Sequence, residues 1–251
     1  MGPAGTPAAA APPIPSRPEA LQASGDLADR LLGAGLVLAI VGGVAQAVLH
    51  AANALTFDSD SLNANSEGNA FAWASSVATF GVAFGALVAA IAGASRRRLF
   101  CALAASAAFL SLDDAISLHE RVSIKLLERV DLPEVYDSLL WPALYSPLLV
   151  LTVVLLRTLA TGAPARVRRF YVWGVALLAL AVVLELVSTP WSTGENAAHA
   201  VLGGIEESAE LTGWILLSAA TAVLAAREIW TAQLRDAPGR SAAEAAQSIV
   251  K

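Results

Sequence analysis

Charged residues are scarce in this chain. Asp, Glu, Lys and Arg make up only 15% of its 251 residues, against roughly 25% in soluble domains. Apolar residues make up 56% and fall in runs long enough to cross a bilayer, which excludes an ordinary soluble domain. Cysteine is nearly absent. The single thiol, Cys101, lies in an apolar run, so a disulfide within the chain and a thiolate metal site are both excluded. There is no basic surplus. The net charge is −5 and no basic aromatic face occurs, which argues against a nucleic-acid partner. Two familiar metal signatures are missing as well. The chain contains neither His-Glu-x-x-His nor the Glu-x-x-His pairs of ferritin-like di-iron bundles.

What is present is a set of six apolar segments, at about Leu31–His50, Phe71–Ala94, Leu99–His119, Leu139–Leu159, Phe170–Ser188 and Ala198–Ala226. They predict an all-α, polytopic membrane bundle of six transmembrane helices. The last is long because a capping signal, Ser192-Thr193-Gly194-Glu195, precedes it. An Ala/Pro-rich tail over 1–26 is too poor in core-forming residues to fold. The membrane domain then covers 27–230, and a second tail covers 231–251. The stretch Arg121–Asp131 mixes charges with Val122, Ile124, Leu126, Leu127 and Val130. It reads as a short amphipathic helix on the outer surface. The polar loop Phe57–Asn69 lacks the spacing of an EF-hand and reads as solvated.

The positive charges set the orientation. Thirteen of the 16 Lys and Arg fall in the two tails and in the second and fourth connections: Arg17, Arg30, Arg96, Arg97, Arg98, Arg157, Arg166, Arg168, Arg169, Arg227, Arg235, Arg240 and Lys251. The other three, Arg121, Lys125 and Arg129, share the third connection. The positive-inside rule then places both termini in the cytoplasm of a multi-pass cell-membrane protein.

Within this frame one stretch is costly. Phe109-Leu110-Ser111-Leu112-Asp113-Asp114-Ala115-Ile116-Ser117-Leu118-His119-Glu120-Arg121 carries acids at the end of a span. Each charge in hydrocarbon costs at least ~2.5–3.5 kcal/mol on the insertion scale. A helix rises about 1.5 Å per residue, so Asp113 and Asp114 lie roughly 21–23 Å from the inner face. Glu185 lies at roughly 22 Å, and Glu206, Glu207 and Glu210 at roughly 18–25 Å. His50, His119 and His199 fall near the same boundary, and no span carries an acid in its inner half. At 100° per residue Asp113, Ser117 and Glu120 share a face of the third span, while His119 points away by about 120°. His199, Gly203, Glu206, Glu210 and Gly213 form one stripe of the sixth. Glycines permit close approach, so the third and sixth spans are expected to face each other, with Glu185 closing the side.

Two carboxylates ~6 Å apart repel by roughly 3 kcal/mol at an effective dielectric of 20. Six acids at one level therefore hold protons or surround a metal. A mixed oxygen and imidazole set suits zinc, iron or manganese. The expected ligands of a divalent metal are Asp113, Glu120, Glu206, Glu207, Glu210, His50, His119 and His199. Asp114 and Glu185 are the expected catalytic acid–base carboxylates, acting on a lipid or small molecule by metal-assisted hydrolysis or oxidation. In combining acids with three histidines the chain resembles membrane hydrolases of the alkaline ceramidase and adiponectin-receptor type, which hold zinc with Asp and three His. It departs from them in lacking a His-x-x-x-His pair and one span. Two other readings stand beside this one. The acids could relay cations or protons in a transporter, or serve a non-catalytic sensor or assembly subunit. The six Trp fall near span boundaries and read as an interfacial belt.

Overall fold

The computed structural model describes residues 17–57, 59–63, 69–130, 137–188 and 197–236. Among the described residues there are seven α-helices and no strand. They are α1 Arg17–Ala52, α2 Ala70–Ile91, α3 Arg97–Ile116, α4 Leu118–Val130, α5 Asp137–Ala160, α6 Ala165–Ser188 and α7 Ala197–Asp236. All except α4 are long and apolar enough to cross a membrane. The 13 residues of α4 extend only about 20 Å. This seventh helix lies where the amphipathic stretch was expected. α1 starts at Arg17, inside the stretch read as tail, and α7 runs on to Asp236. The Ser192-Thr193-Gly194-Glu195 signal and Trp191 lie outside the described residues.

Local chemistry explains the helix ends. The Asn69 side chain caps α2 by accepting hydrogen bonds from the N–H groups of Phe71 and Ala72, at 2.7 and 2.8 Å. A second bond, from Asn69 Nδ2 to the carbonyl of Asn63 at 3.0 Å, ties the preceding loop down. At the opposite end Arg96 donates to the carbonyls of Thr158 and Leu159, at 2.8 and 3.2 Å. These are orphan acceptors of the last turn of α5, which a cation suits best. The helix α3 stops at Ser117, whose φ of +50° is left-handed. α4 starts at the next residue in a new direction.

Packing makes α7 the centre of the bundle. It lies against α6, α1 and α2, while α3 lies mainly against α2. The sequence expectation that the third and sixth spans pack face to face is therefore corrected: α2 stands between α3 and α7. The reason is the small-residue face of α2, where Gly81 and Gly85 meet Ser218 and Thr221 of α7. Gly213 does permit a close approach, but with α6. A Cβ there would stand 3.0 Å from the Gly174 carbonyl oxygen. α5 makes lighter contacts with α3 and α6, so α2, α3, α5, α6 and α7 form a closed ring. Pro142 and Pro147 lie inside α5 and each removes one helical N–H donor.

The ring is filled at one end by an apolar core. Phe100, Leu103, Leu156, Leu159, Val167, Leu217 and Val223 are all fully buried. Tyr171 and Thr221 share a buried hydrogen bond at 3.1 Å between α6 and α7, and Ser106 bonds Thr152 between α3 and α5. The outward faces of the helices are apolar and bare. Leu38, Val41, Val44 and Val48 of α1 are each more than half exposed, the reverse of what water would select. Six spanning helices with apolar outer faces identify a multi-pass membrane protein.

Candidate functional site

The other end of the ring is polar, and its organising feature is the break at Ser117. The Ser117 N–H bonds back to the Asp113 carbonyl and closes α3. α4 then carries His119 back over the end of α3, so that Nδ1 of His119 lies 2.8 Å from Oδ2 of Asp113. The expected 120° divergence of these side chains is thus overturned, because it assumed one continuous helix. Asp113 is only 5% exposed. Its other oxygen accepts from the Tyr145 hydroxyl of α5 at 2.7 Å.

Asp114 points towards α2. Ser76 Oγ donates to it at 2.8 Å, and Ser111 Oγ donates to the Ser76 carbonyl at the same distance. Asp114 also lies within charge-interaction range of Glu210 of α7, as well as of His119 and Asp113. Glu210 is in turn within range of His119, and accepts from Trp214 Nε1, one turn along, at 3.1 Å. Glu206 interacts with both Glu185 of α6 and Glu210. Glu185 accepts from Trp141 Nε1 of α5. Electrostatic interactions therefore link acids of α3, α6 and α7 in a chain that also includes His119.

Two of the expected ligands lie instead at the contact between α1 and α7. His50, 6% exposed, donates from Nε2 to the Ala200 carbonyl at 2.8 Å and packs edge-on to Phe71. The ring seats where α7 has no side chain, since a Cβ on Gly204 would stand 2.6 Å from His50 Cδ2. Glu207 accepts from Gln46 Nε2 of α1 at 3.4 Å. Glu120 and His199 lie on described helices, but their side chains lie outside the described residues. Among the described residues no three His, Cys, Asp or Glu side chains stand at metal-binding spacing.

Besides His119, which bonds Asp113, the side-chain donors that reach the acids are neutral groups: Tyr145 for Asp113, Ser76 for Asp114, Trp214 for Glu210, Trp141 for Glu185. Among the described residues no Lys or Arg pairs with Asp113, Asp114, Glu206 or Glu210, and Arg121 is exposed. Reading the sequence alone missed Ser76, Tyr145, Trp141 and Trp214. The last had a signal, since Glu210 and Trp214 are one helical turn apart. Trp141 and Tyr145 share that spacing on α5. A carboxylate at Nδ1 fixes the orientation of an imidazole ring.

The fold defines a multi-pass helical membrane protein, with a buried His119–Asp113 pair at one end of its bundle. The chain belongs to the family described as "Domain of unknown function (DUF8692)", whose profile matches residues 31–225. Comparison with curated proteins gave no match, and neither did comparison with solved structures.

Proposed function

We propose that this protein is a cell-membrane enzyme with both termini in the cytoplasm and its polar site facing outward. The site binds a divalent metal, zinc, iron or manganese, through Asp114, His119 and Glu210. Asp113 holds the His119 ring, and Glu185 and Glu206 remain for acid–base work on a lipid or small molecule. One observation supports the reading: Asp114 and Glu210 interact electrostatically with a carboxylate-held histidine, and no Lys or Arg pairs with Asp113, Asp114, Glu206 or Glu210 among the described residues. Acids at this depth take up protons or a cation, and the donor set of oxygen and imidazole suits those metals. Ligation needs Asp114 and Glu210 to turn towards His119.

The test is elemental analysis of purified protein, alongside Asp114→Ala and Glu210→Ala. Bound metal near one equivalent in the parent, and much less in both variants, supports the site. A parent free of zinc, iron and manganese sinks it. A second reading, a cation- or proton-coupled transporter, draws on the lack of a three-ligand group among the described residues. Protons would then neutralise the pairs Asp114–Glu210 and Glu185–Glu206. The fully buried apolar layer of Leu103, Leu156 and Leu217 beyond the acids favours a dead-end pocket over a passage.

A further inference from the structure

We infer that α4 docks on the head groups of anionic phospholipids, in the leaflet at the polar end of the bundle, through Arg121, Lys125 and Arg129. The inference needs only that the chain spans a membrane and does not rest on the metal reading.

The first observation is where α4 is held. The spanning helix α3 ends at Ile116, α4 begins at Leu118, and the next spanning helix, α5, begins at Asp137. α4 therefore joins two membrane crossings at a single boundary. It packs on α5 and, more lightly, on α3. Its face towards the bundle carries Ser123 and Leu127, both buried, and His119, bonded to Asp113. What surrounds the rest of a helix held at this level is lipid head groups.

The second observation is what the opposite face carries. At 100° per residue Arg121, Lys125 and Arg129 form one stripe about 80° wide, centred about 180° from Ser123 and Leu127. All three are exposed, and among the described residues none pairs with an acid. Every Lys and Arg between Arg98 and Arg157 lies in this stripe, an alignment that a merely solvated connection does not require. Glu128 stands at its edge and is exposed too, so the face keeps a surplus of positive charge. Val122 and Ile124 flank the stripe and are 41% and 47% exposed. Bare β-branched side chains beside cations suit the head-group zone, where phosphates meet the first methylene groups of the acyl chains. A zwitterionic head group brings its own ammonium and cancels much of the attraction. An anionic one does not, and its phosphate oxygens accept from Arg and Lys.

The experiment uses the full chain in phosphatidylcholine bilayers. A bimane fluorophore is placed on Val122→Cys in a Cys101→Ser background. A small fraction of spin-labelled quencher lipid is added, either phosphatidylglycerol or phosphatidylcholine with the same acyl chains. Each Lys or Arg at an anionic surface contributes about fivefold. With Glu128 opposing, the phosphatidylglycerol quencher should be enriched at the fluorophore by about tenfold over the phosphatidylcholine one. Arg121→Gln, Lys125→Gln and Arg129→Gln together should bring the two lipids within about twofold, and Lys125→Gln alone should lower the preference by up to about fivefold. All three positions are exposed, and thermal melts check that the variants fold. Arg97→Gln with Arg98→Gln, exposed at the other end of α3, should leave the preference unchanged. Salt near 1 M, where the screening length is about 3 Å, should remove most of it. Equal quenching by both lipids in the parent overturns the inference and leaves α4 a solvated face. A preference that survives the triple substitution, or that Arg97→Gln with Arg98→Gln removes equally, overturns it as well.

Discussion

Replacing Asp113 by Asn changes one atom and inverts the chemistry of the pair. In the parent the carboxylate accepts from both the Tyr145 hydroxyl and His119 Nδ1, at 2.7 and 2.8 Å. In Asp113→Asn the oxygen can still accept from Tyr145, but an NH₂ group then faces Nδ1. The imidazole responds by moving its proton to Nε2, so that Nδ1 accepts. A hydrogen bond is kept, and the fold should lose no more than about 1 kcal/mol. The lone pair at Nε2 is gone, however. To present it again the ring must give up the new bond and leave a buried donor unpaired, at about 1–3 kcal/mol. That corresponds to a loss of roughly 5- to 150-fold in any affinity or rate that uses Nε2. Nitrogen NMR of ¹⁵N-histidine-labelled protein checks the tautomer directly, with His119→Gln identifying the His119 signals. Metal titration or turnover checks the consequence. An Asp113→Asn protein with the parent's ring signals and undiminished metal binding would refute the reasoning.

Three further outcomes test the packing around the site. Gly204→Ala places a methyl 2.6 Å from His50 Cδ2, so thermal melts should show a loss of about 1–3 kcal/mol. The double variant with His50→Ala should recover part of it. Gly213→Val places a Cβ 3.0 Å from the Gly174 carbonyl oxygen of α6, and should cost about 1–3 kcal/mol or more by the same assay. Ser117→Gly should fold at least as well as the parent, because glycine accepts a φ of +50° without strain. Ser117→Val should be less stable by about 1–2 kcal/mol and should weaken the His119–Asp113 bond, seen in the same NMR signals.

The spans and the level of the acids were legible in the sequence because both follow from length. A run of apolar residues near 20 marks a crossing, and a rise of about 1.5 Å per residue fixes depth. That is why Asp113, Asp114, Glu185, Glu206 and Glu210 could be brought to one level from three separate helices. Azimuth failed where the helix itself failed. The left-handed residue is Ser117, not a glycine, so nothing in the sequence announced that His119 would double back onto Asp113. Neighbour choice was illegible too: apolar periodicity marks a face without saying which helix covers it, and the small residues of α2 that reach α7 looked like any membrane stretch. The tryptophans misled for a related reason. An indole at a membrane boundary and an indole bonded to Glu185 or Glu210 occupy similar sequence positions, and only the packing separates them. His50 and Glu207 matched the other acids in depth, yet are engaged with each other's helices at the α1–α7 contact.

The account depends on Asp114 of α3 and Glu210 of α7 meeting across a pocket that opens to the outside. The most direct measurement puts cysteines at both positions in a Cys101→Ser background and adds a membrane-impermeant, short bifunctional thiol reagent to intact cells. The account predicts that the pair becomes linked from the outside, so that cleavage in the connecting loops no longer separates the two helices. Two cysteines that react singly but never link, or that react only after the membrane is opened, would contradict it.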